Sequence, residues 1–100
     1  MFDKLMNQMQ AATEEAKKKL EKIRVETESE DGLVKVTSNG NRRIINIEIN
    51  DELLKDKETF EDMLIVTVNK AIEKSEKINE EEMGRIAGDM IPGLGNFKKK

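Results

Sequence analysis

The stretch DGLVKVTSNGNRRIINIEIN, residues 31–50, decides the fold of this 100-residue chain. Hydrophobic and polar residues alternate along it, and a period of two is typical of strands with one face in water. The Asn39-Gly40 pair in its middle predicts a tight hairpin turn, because such turns require positive φ angles. The residues expected on the core face of the two strands are Val34, Val36, Ile45, Ile47 and Ile49.

A third strand is predicted before this hairpin. Residues 23–29 (IRVETES) also alternate, and the Asp31-Gly32 pair that follows is a second hairpin signal. The three strands are therefore expected to form an antiparallel meander. Ile44 falls on the wet face of the third strand, where an interface with another molecule could cover it.

Helical periodicity precedes the strands. From about Phe2 to Lys22, apolar residues recur at steps of three and four, which predicts one apolar stripe on an amphipathic helix. The stripe consists of Leu5, Met9, Ala12, Ala16, Leu20 and Ile23.

A second, longer helix is predicted after the strands. Asn50 is a candidate N-cap there and Thr59 a second one, and the helix is expected to end between Glu82 and Gly88. Its apolar positions are Phe60, Met63, Leu64, Thr67, Val68, Ala71, Ile72 and Ile78.

This order predicts one α+β domain over residues 1–100: an N-terminal helix, a three-stranded antiparallel meander and a long C-terminal helix. Two layers are expected, with both helices on the apolar face of the sheet. Residues 1–88 are expected to be ordered and residues 89–100 to form a flexible tail.

The composition argues against most catalytic chemistry. Cysteine and histidine are absent, which removes thiol nucleophiles, thiolate metal sites and the commonest general base. Acidic groups such as Glu80–Glu82 or Glu26 and Glu28 are expected on wet faces, without the burial or close partner that a catalytic carboxylate requires. We therefore expect no enzyme activity, no catalytic residue, no metal, no cofactor and no small-molecule substrate. No apolar run predicts a membrane segment, so a cytoplasmic protein is expected.

Basic residues cluster despite a net charge of −3. Residues 51–82 hold eleven acids and five bases, whereas residues 83–100 hold four bases and one acid. Lys17, Lys18 and Lys19, followed by Lys22 and Arg24, could contact DNA phosphates. A solvated helix face balanced by neighbouring glutamates is the alternative.

Two further basic groups allow similar pairs of interpretations. Arg42 and Arg43 follow the hairpin tip, where they could hold a phosphate in a bidentate fork or simply aid solubility. Lys98, Lys99 and Lys100 could form a basic arm or an unstructured soluble end. With phenylalanine as the only aromatic residue type, stacking on unpaired bases is not expected.

Taken together, several segments resemble the YbaB/EbfC family of bacterial nucleoid-associated proteins. They are LMNQMQ near the start, GLVKVTSNG at residues 32–40, the following IEIN-DELL, and GLGNF near the end. The resemblance implies a small cytoplasmic homodimer that associates with the nucleoid, binds double-stranded DNA and alters its conformation. It also implies DNA contacts by helix lysines and by the chain end, which correspond here to Lys17, Lys18, Lys19, Lys22 and Lys98–Lys100.

Arg24, Arg42 and Arg43 are added to this set from charge placement alone. The competing hypothesis is a protein–protein adaptor that uses its long helices and does not bind DNA.

Overall fold

The computed structural model describes residues 2–90, with side chains described as far as residue 88. Along the chain, helix α1 precedes three strands, β1 to β3, and helix α2 follows them, with a short 3-10 helix between β3 and α2. The bounds are α1 Phe2–Glu21, β1 Val25–Glu28, β2 Val34–Ser38, β3 Ile44–Ile49, the 3-10 helix Asp51–Lys55, and α2 Lys57–Met90. The predicted α+β class and the order of its elements are confirmed.

The sheet is an antiparallel meander with β2 in the centre. The inward side chains of β2, Val34 and Val36, are fully buried together with Leu53 and Ala71. These residues form the core because α2 lies across one face of the sheet. The first helix differs from the expectation, since it packs mainly along α2 rather than on the sheet.

Polar groups also enter the core beneath α2. The Ser38 and Ser75 hydroxyl oxygens are 2.6 Å apart and both residues are fully buried. The Thr67 hydroxyl donates to the Met63 carbonyl at 2.7 Å. By contrast, Thr27 Oγ1 is sealed from solvent and has no hydrogen-bond partner among the described residues. Such an unpaired hydroxyl lowers the stability of the fold.

The prediction for the third strand is wrong at Ile44 and Ile45, whereas Ile47 and Ile49 keep the predicted face. The β2–β3 register slips at Thr37 and Ser38, where a bulge brings Ile44 opposite the buried Ser38. Ile44 therefore packs against the core instead of facing water. Ile45, expected inside, is skipped in the register and is 48% exposed, while Ile47, opposite Val36, lies on the predicted face but remains 40% exposed. A bulge shifts the strict alternation on which the prediction relied.

Both ends of α2 also differ from the prediction. Asn50 does cap the 3-10 helix, accepting from the Glu52 amide at 2.9 Å. The N-cap of α2, however, is Asp56, which accepts from the Thr59 amide and hydroxyl at 3.2 and 2.8 Å. The helix then continues through Gly84 to Met90, the last described residue. The sequence predicts too early an end because packing against α1 outweighs the weak helix propensity of glycine.

Beyond the sheet, the two helices form an antiparallel arm. Lys19 pairs with Glu82, while Ala12 lies beside Ile86 further along the arm. Ala16 and Leu20 are buried there, but every residue from Phe2 to Gln10 is exposed. The first half of the predicted apolar stripe of α1 is therefore uncovered in one chain.

Two expectations concern the chain as a whole. None of the helices within residues 2–90 is both long enough and apolar enough to cross a membrane. Residues 89 and 90 of the predicted flexible tail belong to α2. The rest of the predicted tail, including Lys98–Lys100, lies outside the described residues.

Candidate nucleic-acid interface

The β2–β3 turn is organised by the buried side chain of Asn39. Its Oδ1 accepts from the Asn41 and Arg43 amides at 2.8 and 3.2 Å. Its backbone amide donates to the Arg43 carbonyl at 2.9 Å, and the Arg42 amide donates back to the Asn39 carbonyl at 3.3 Å. These bonds close a three-residue loop, residues 40–42, with a defined shape.

Positive φ occurs at an unexpected residue of this turn. Arg42 has φ +65°, whereas Gly40 lies outside the positive-φ region. In the first hairpin, Gly32 has the positive φ that its turn predicts, at +75°. Three-residue hairpin loops place their third residue in the left-handed region. An arginine there costs about 1 kcal/mol relative to glycine. The backbone thus fixes the direction in which the Arg42 side chain leaves the turn.

Gly40 is required for close packing instead. Its amide donates to the Leu20 carbonyl at 2.9 Å, which joins the turn to the end of α1. A Cβ at this position would lie 2.8 Å from Leu20 Cδ2 and 2.9 Å from the Leu20 carbonyl oxygen. Only glycine allows the hairpin to approach the helix this closely.

Two amide side chains complete the connection between the turn and the helices. The Asn41 Nδ2 donates to the Lys17 carbonyl of α1 at 2.9 Å. The Asn79 Nδ2 of α2 donates to the Gly40 carbonyl at 3.1 Å and approaches Asn41 Oδ1 at 3.4 Å. The turn is therefore held by both helices, and the side chains around it keep a fixed relation to one another.

An open cleft of about 410 Å³ results between the turn and the two helices, and we call it the hairpin cleft. Three cationic side chains from two separate elements meet in it: Lys17 from α1, and Arg42 and Arg43 from the turn. All three are exposed, and Glu21 is the one carboxylate among the lining residues that the structure describes. Among the described residues, the cleft is lined by Lys17, Glu21, Asn39, Asn41, Arg42, Arg43, Asn79 and Met83.

The other predicted DNA contacts do not line this cleft. Lys18 and Lys22 are exposed at the end of α1. Arg24 is exposed as well, but its Nη1 donates to the Glu21 and Ile23 carbonyls at 2.8 and 3.2 Å. It therefore also serves to cap the carboxyl end of α1.

Lys19 lies on the other flank of α1, facing α2. Its ammonium is 3.6 Å from a Glu82 carboxylate oxygen, and Arg85 binds the same oxygen. The hydrogen bond from Arg85, aided by the charges of both bases, lowers the pKa of Glu82 below its usual 4.5. Glu82 thus stays ionised and offsets part of the positive charge on this flank.

Sequence reasoning misses the three asparagines that shape the cleft. It identifies Asn39 only as a turn residue and does not single out Asn41 or Asn79. Asn79 is 39 positions from the glycine it contacts, so no local pattern indicates the pairing. The adjacent NGN at residues 39–41 is the only available signal.

Comparisons with known proteins identify the family of this chain. The sequence profile of the YbaB/EbfC DNA-binding family matches residues 1–90. The chain belongs to the YbaB/EbfC DNA-binding family. The resemblance drawn from the sequence is therefore confirmed.

Individual relatives agree with this family. A nucleoid-associated protein of Flavobacterium johnsoniae is 43% identical over 97 residues, covering 94% of this chain and 92% of the relative. One from Pseudothermotoga lettingae is 36% identical, covering 93% and 82%. The crystal structure of an uncharacterized Helicobacter pylori protein superimposes with a TM-score of 0.82 at 23% identity, covering 87% of this chain and 94% of that one. At that identity, the likeness supports the fold alone.

Proposed function

We propose that this YbaB/EbfC protein acts in the cytoplasm as a nucleoid-associated homodimer that binds double-stranded DNA through backbone phosphates and alters its conformation. The observation that carries the proposal is the meeting of Lys17, Arg42 and Arg43 in one cleft of a protein from a DNA-binding family. Lys18 and Lys22, exposed nearby at the end of α1, extend the positive surface. Several relatives are themselves called nucleoid-associated proteins, which supports this cellular setting.

Phosphate contact fits these side chains better than base recognition. Lysine and arginine release counterions when they neutralise phosphates, and this contribution does not depend on sequence. Sequence preference would then arise from the shape and deformability of DNA. Insertion of a helix into a groove is not needed for such binding, since the cations lie at a helix end and in a loop.

A homodimer is supported by apolar surface that one chain leaves uncovered. Strand β3 is an edge of the sheet. Ile47 lies opposite Val36, and therefore on the face that α2 covers, yet it is 40% exposed. Ile45, on the same edge strand, is 48% exposed. A second copy that packs against this surface would remove it from water and would double the number of hairpin clefts.

Two copies would also account for an altered DNA conformation. Each hairpin cleft would hold a separate phosphate tract, and the dimer would fix the distance between the tracts. DNA that contacts both clefts at once must bend or twist to reach them, and the energy of this deformation depends on the DNA sequence.

The test is DNA binding by fluorescence anisotropy over a series of salt concentrations, with light scattering in parallel. The logarithm of affinity should fall linearly with the logarithm of salt, with a slope of about −0.9 for each phosphate neutralised. Light scattering should give twice the 11.4 kDa mass of one chain. Binding that ignores salt would refute the phosphate contacts, and a monomeric mass would refute the dimer.

A matched pair of triple variants separates DNA binding from the adaptor hypothesis. Reversal of Lys17, Lys18 and Lys19 to glutamate should weaken DNA binding strongly. Reversal of Lys70, Lys74 and Lys77, exposed on α2, makes the same change in net charge and should weaken it much less. Equal losses would indicate only a net-charge effect. Unchanged binding in the first variant would contradict the proposed interface.

The adaptor hypothesis is favoured by one observation, the uncovered apolar half of α1. Phe2, Leu5 and Met9 are 79%, 47% and 44% exposed, and a partner helix could cover them. An adaptor would keep its function when the α1 lysines are reversed, whereas the DNA-binding protein would lose it.

A further inference from the structure

Asn39, which lines the hairpin cleft, has an unpaired hydrogen-bond donor. Asn39 is only 2% exposed, and its Oδ1 is fixed by the two backbone amides that it accepts from. Those bonds also settle which end of the side-chain amide is nitrogen. No described residue accepts a hydrogen bond from Asn39 Nδ2.

This nitrogen is not sealed from solvent. Among the described side chains, Thr27 Oγ1 is the only buried polar atom that is both sealed and unpaired. Asn39 Nδ2 is unpaired without being sealed, and Asn39 lines the hairpin cleft. An N–H group in such a position favours an acceptor that enters from outside.

The surroundings select an anionic acceptor. Lys17, Arg42 and Arg43 line the same cleft, where Glu21 supplies the one lining carboxylate within residues 2–88. Arginine can bind two oxygens of a phosphate at once, and the left-handed backbone at Arg42 fixes the origin of its side chain. The donors are therefore one buried amide and three exposed cations that line the same cleft.

We propose that the hairpin cleft seats one phosphodiester of the DNA backbone, with Asn39 Nδ2 as a positioned donor and Lys17, Arg42 and Arg43 around it. This rests on the proposed DNA-binding function and goes beyond it. A phosphodiester bound by these directed donors, rather than by a diffuse positive surface, would set the register of the protein on the phosphate backbone.

The first test replaces one atom. Asn39→Asp keeps the Oδ1 that holds the turn and replaces the Nδ2 donor by an oxygen. Affinity for a short duplex should fall about tenfold to a hundredfold, the range for a hydrogen bond to a charged group. The salt slope should lose about one unit. Asn46→Asp, exposed on β3, adds the same charge and should lower affinity by no more than about threefold, because solvent screens it.

The second test uses wild-type protein, so it does not depend on whether a variant folds. In ¹⁵N-labelled wild-type protein, the side-chain NH₂ resonances of Asn39 should shift on titration with the duplex, while those of Asn46 should not. A parallel titration uses inorganic phosphate at matched ionic strength in place of the duplex. A shift with phosphate but none with the duplex would identify a small-anion site and overturn the proposal.

The remaining outcomes are distinguishable. Duplex binding without a shift at Asn39, and with equal affinities for the two Asp variants, would overturn the phosphodiester seat and leave DNA binding intact. Absence of any duplex binding at low salt would overturn the proposed function and the seat together.

Discussion

Substitution of Gly40 by alanine should loosen the hairpin from α1. The new Cβ would lie 2.9 Å from the Leu20 carbonyl oxygen, and an ordinary contact needs about 3.4 Å. The hairpin must therefore move away, which lengthens the 2.9 Å hydrogen bond between the Gly40 amide and the same oxygen. The lost bond and the strained packing together should cost about 2–4 kcal/mol of unfolding free energy.

Gly32 provides the matched control, because a Cβ there meets nothing within 4 Å while its φ is +75°. Gly32→Ala should cost only about 1 kcal/mol, and asparagine, which tolerates this conformation, should recover most of it. Asparagine at Gly40 should recover nothing, since the obstacle there is steric.

Urea unfolding followed by far-UV circular dichroism measures these differences, since the chain has no tryptophan or tyrosine for fluorescence. All variants are compared at one protein concentration, because dimer formation would make stability depend on it. A Gly40→Ala variant within about 0.5 kcal/mol of the wild type would refute the close-packing argument.

Two further predictions concern Thr27 and Asp56. Thr27→Val should raise the unfolding free energy by about 1 kcal/mol, because it removes a buried unpaired hydroxyl. The control Thr67→Val breaks a hydrogen bond and should not raise it. Equal changes of the two variants in urea unfolding would contradict this prediction. Hydrogen bonds from Thr59 lower the pKa of Asp56 below its usual 3.8, so its stabilising effect is present above that pH and is lost as the pH falls through the folded pKa. Asp56→Asn should therefore flatten the acid side of the stability profile, and an unchanged profile of urea midpoints against pH would count against the cap.

The candidate site is predictable only in part. Lys17, Arg42 and Arg43 are recognisable as possible phosphate contacts from their charge and their place beside a helix end and a turn. Their meeting in one cleft is not predictable, because hydrogen bonds between residues 24 and 39 positions apart hold the turn against the helices. The sequence identifies Asn39 only as a turn former. Its unpaired amide becomes evident only in the folded structure, where the neighbours of the side chain are placed.

The sequence by itself determined the order of elements, the two buried valines of β2 and the family. Helical and strand periodicities are local properties, and each can be read within a few residues. The tertiary structure decided the bulge that turned Ile44 inward, the end of α2, the close approach at Gly40 and the assembly of the hairpin cleft. Each of these depends on contacts between distant segments, whose packing outweighs local preference and leaves no periodic trace in the chain.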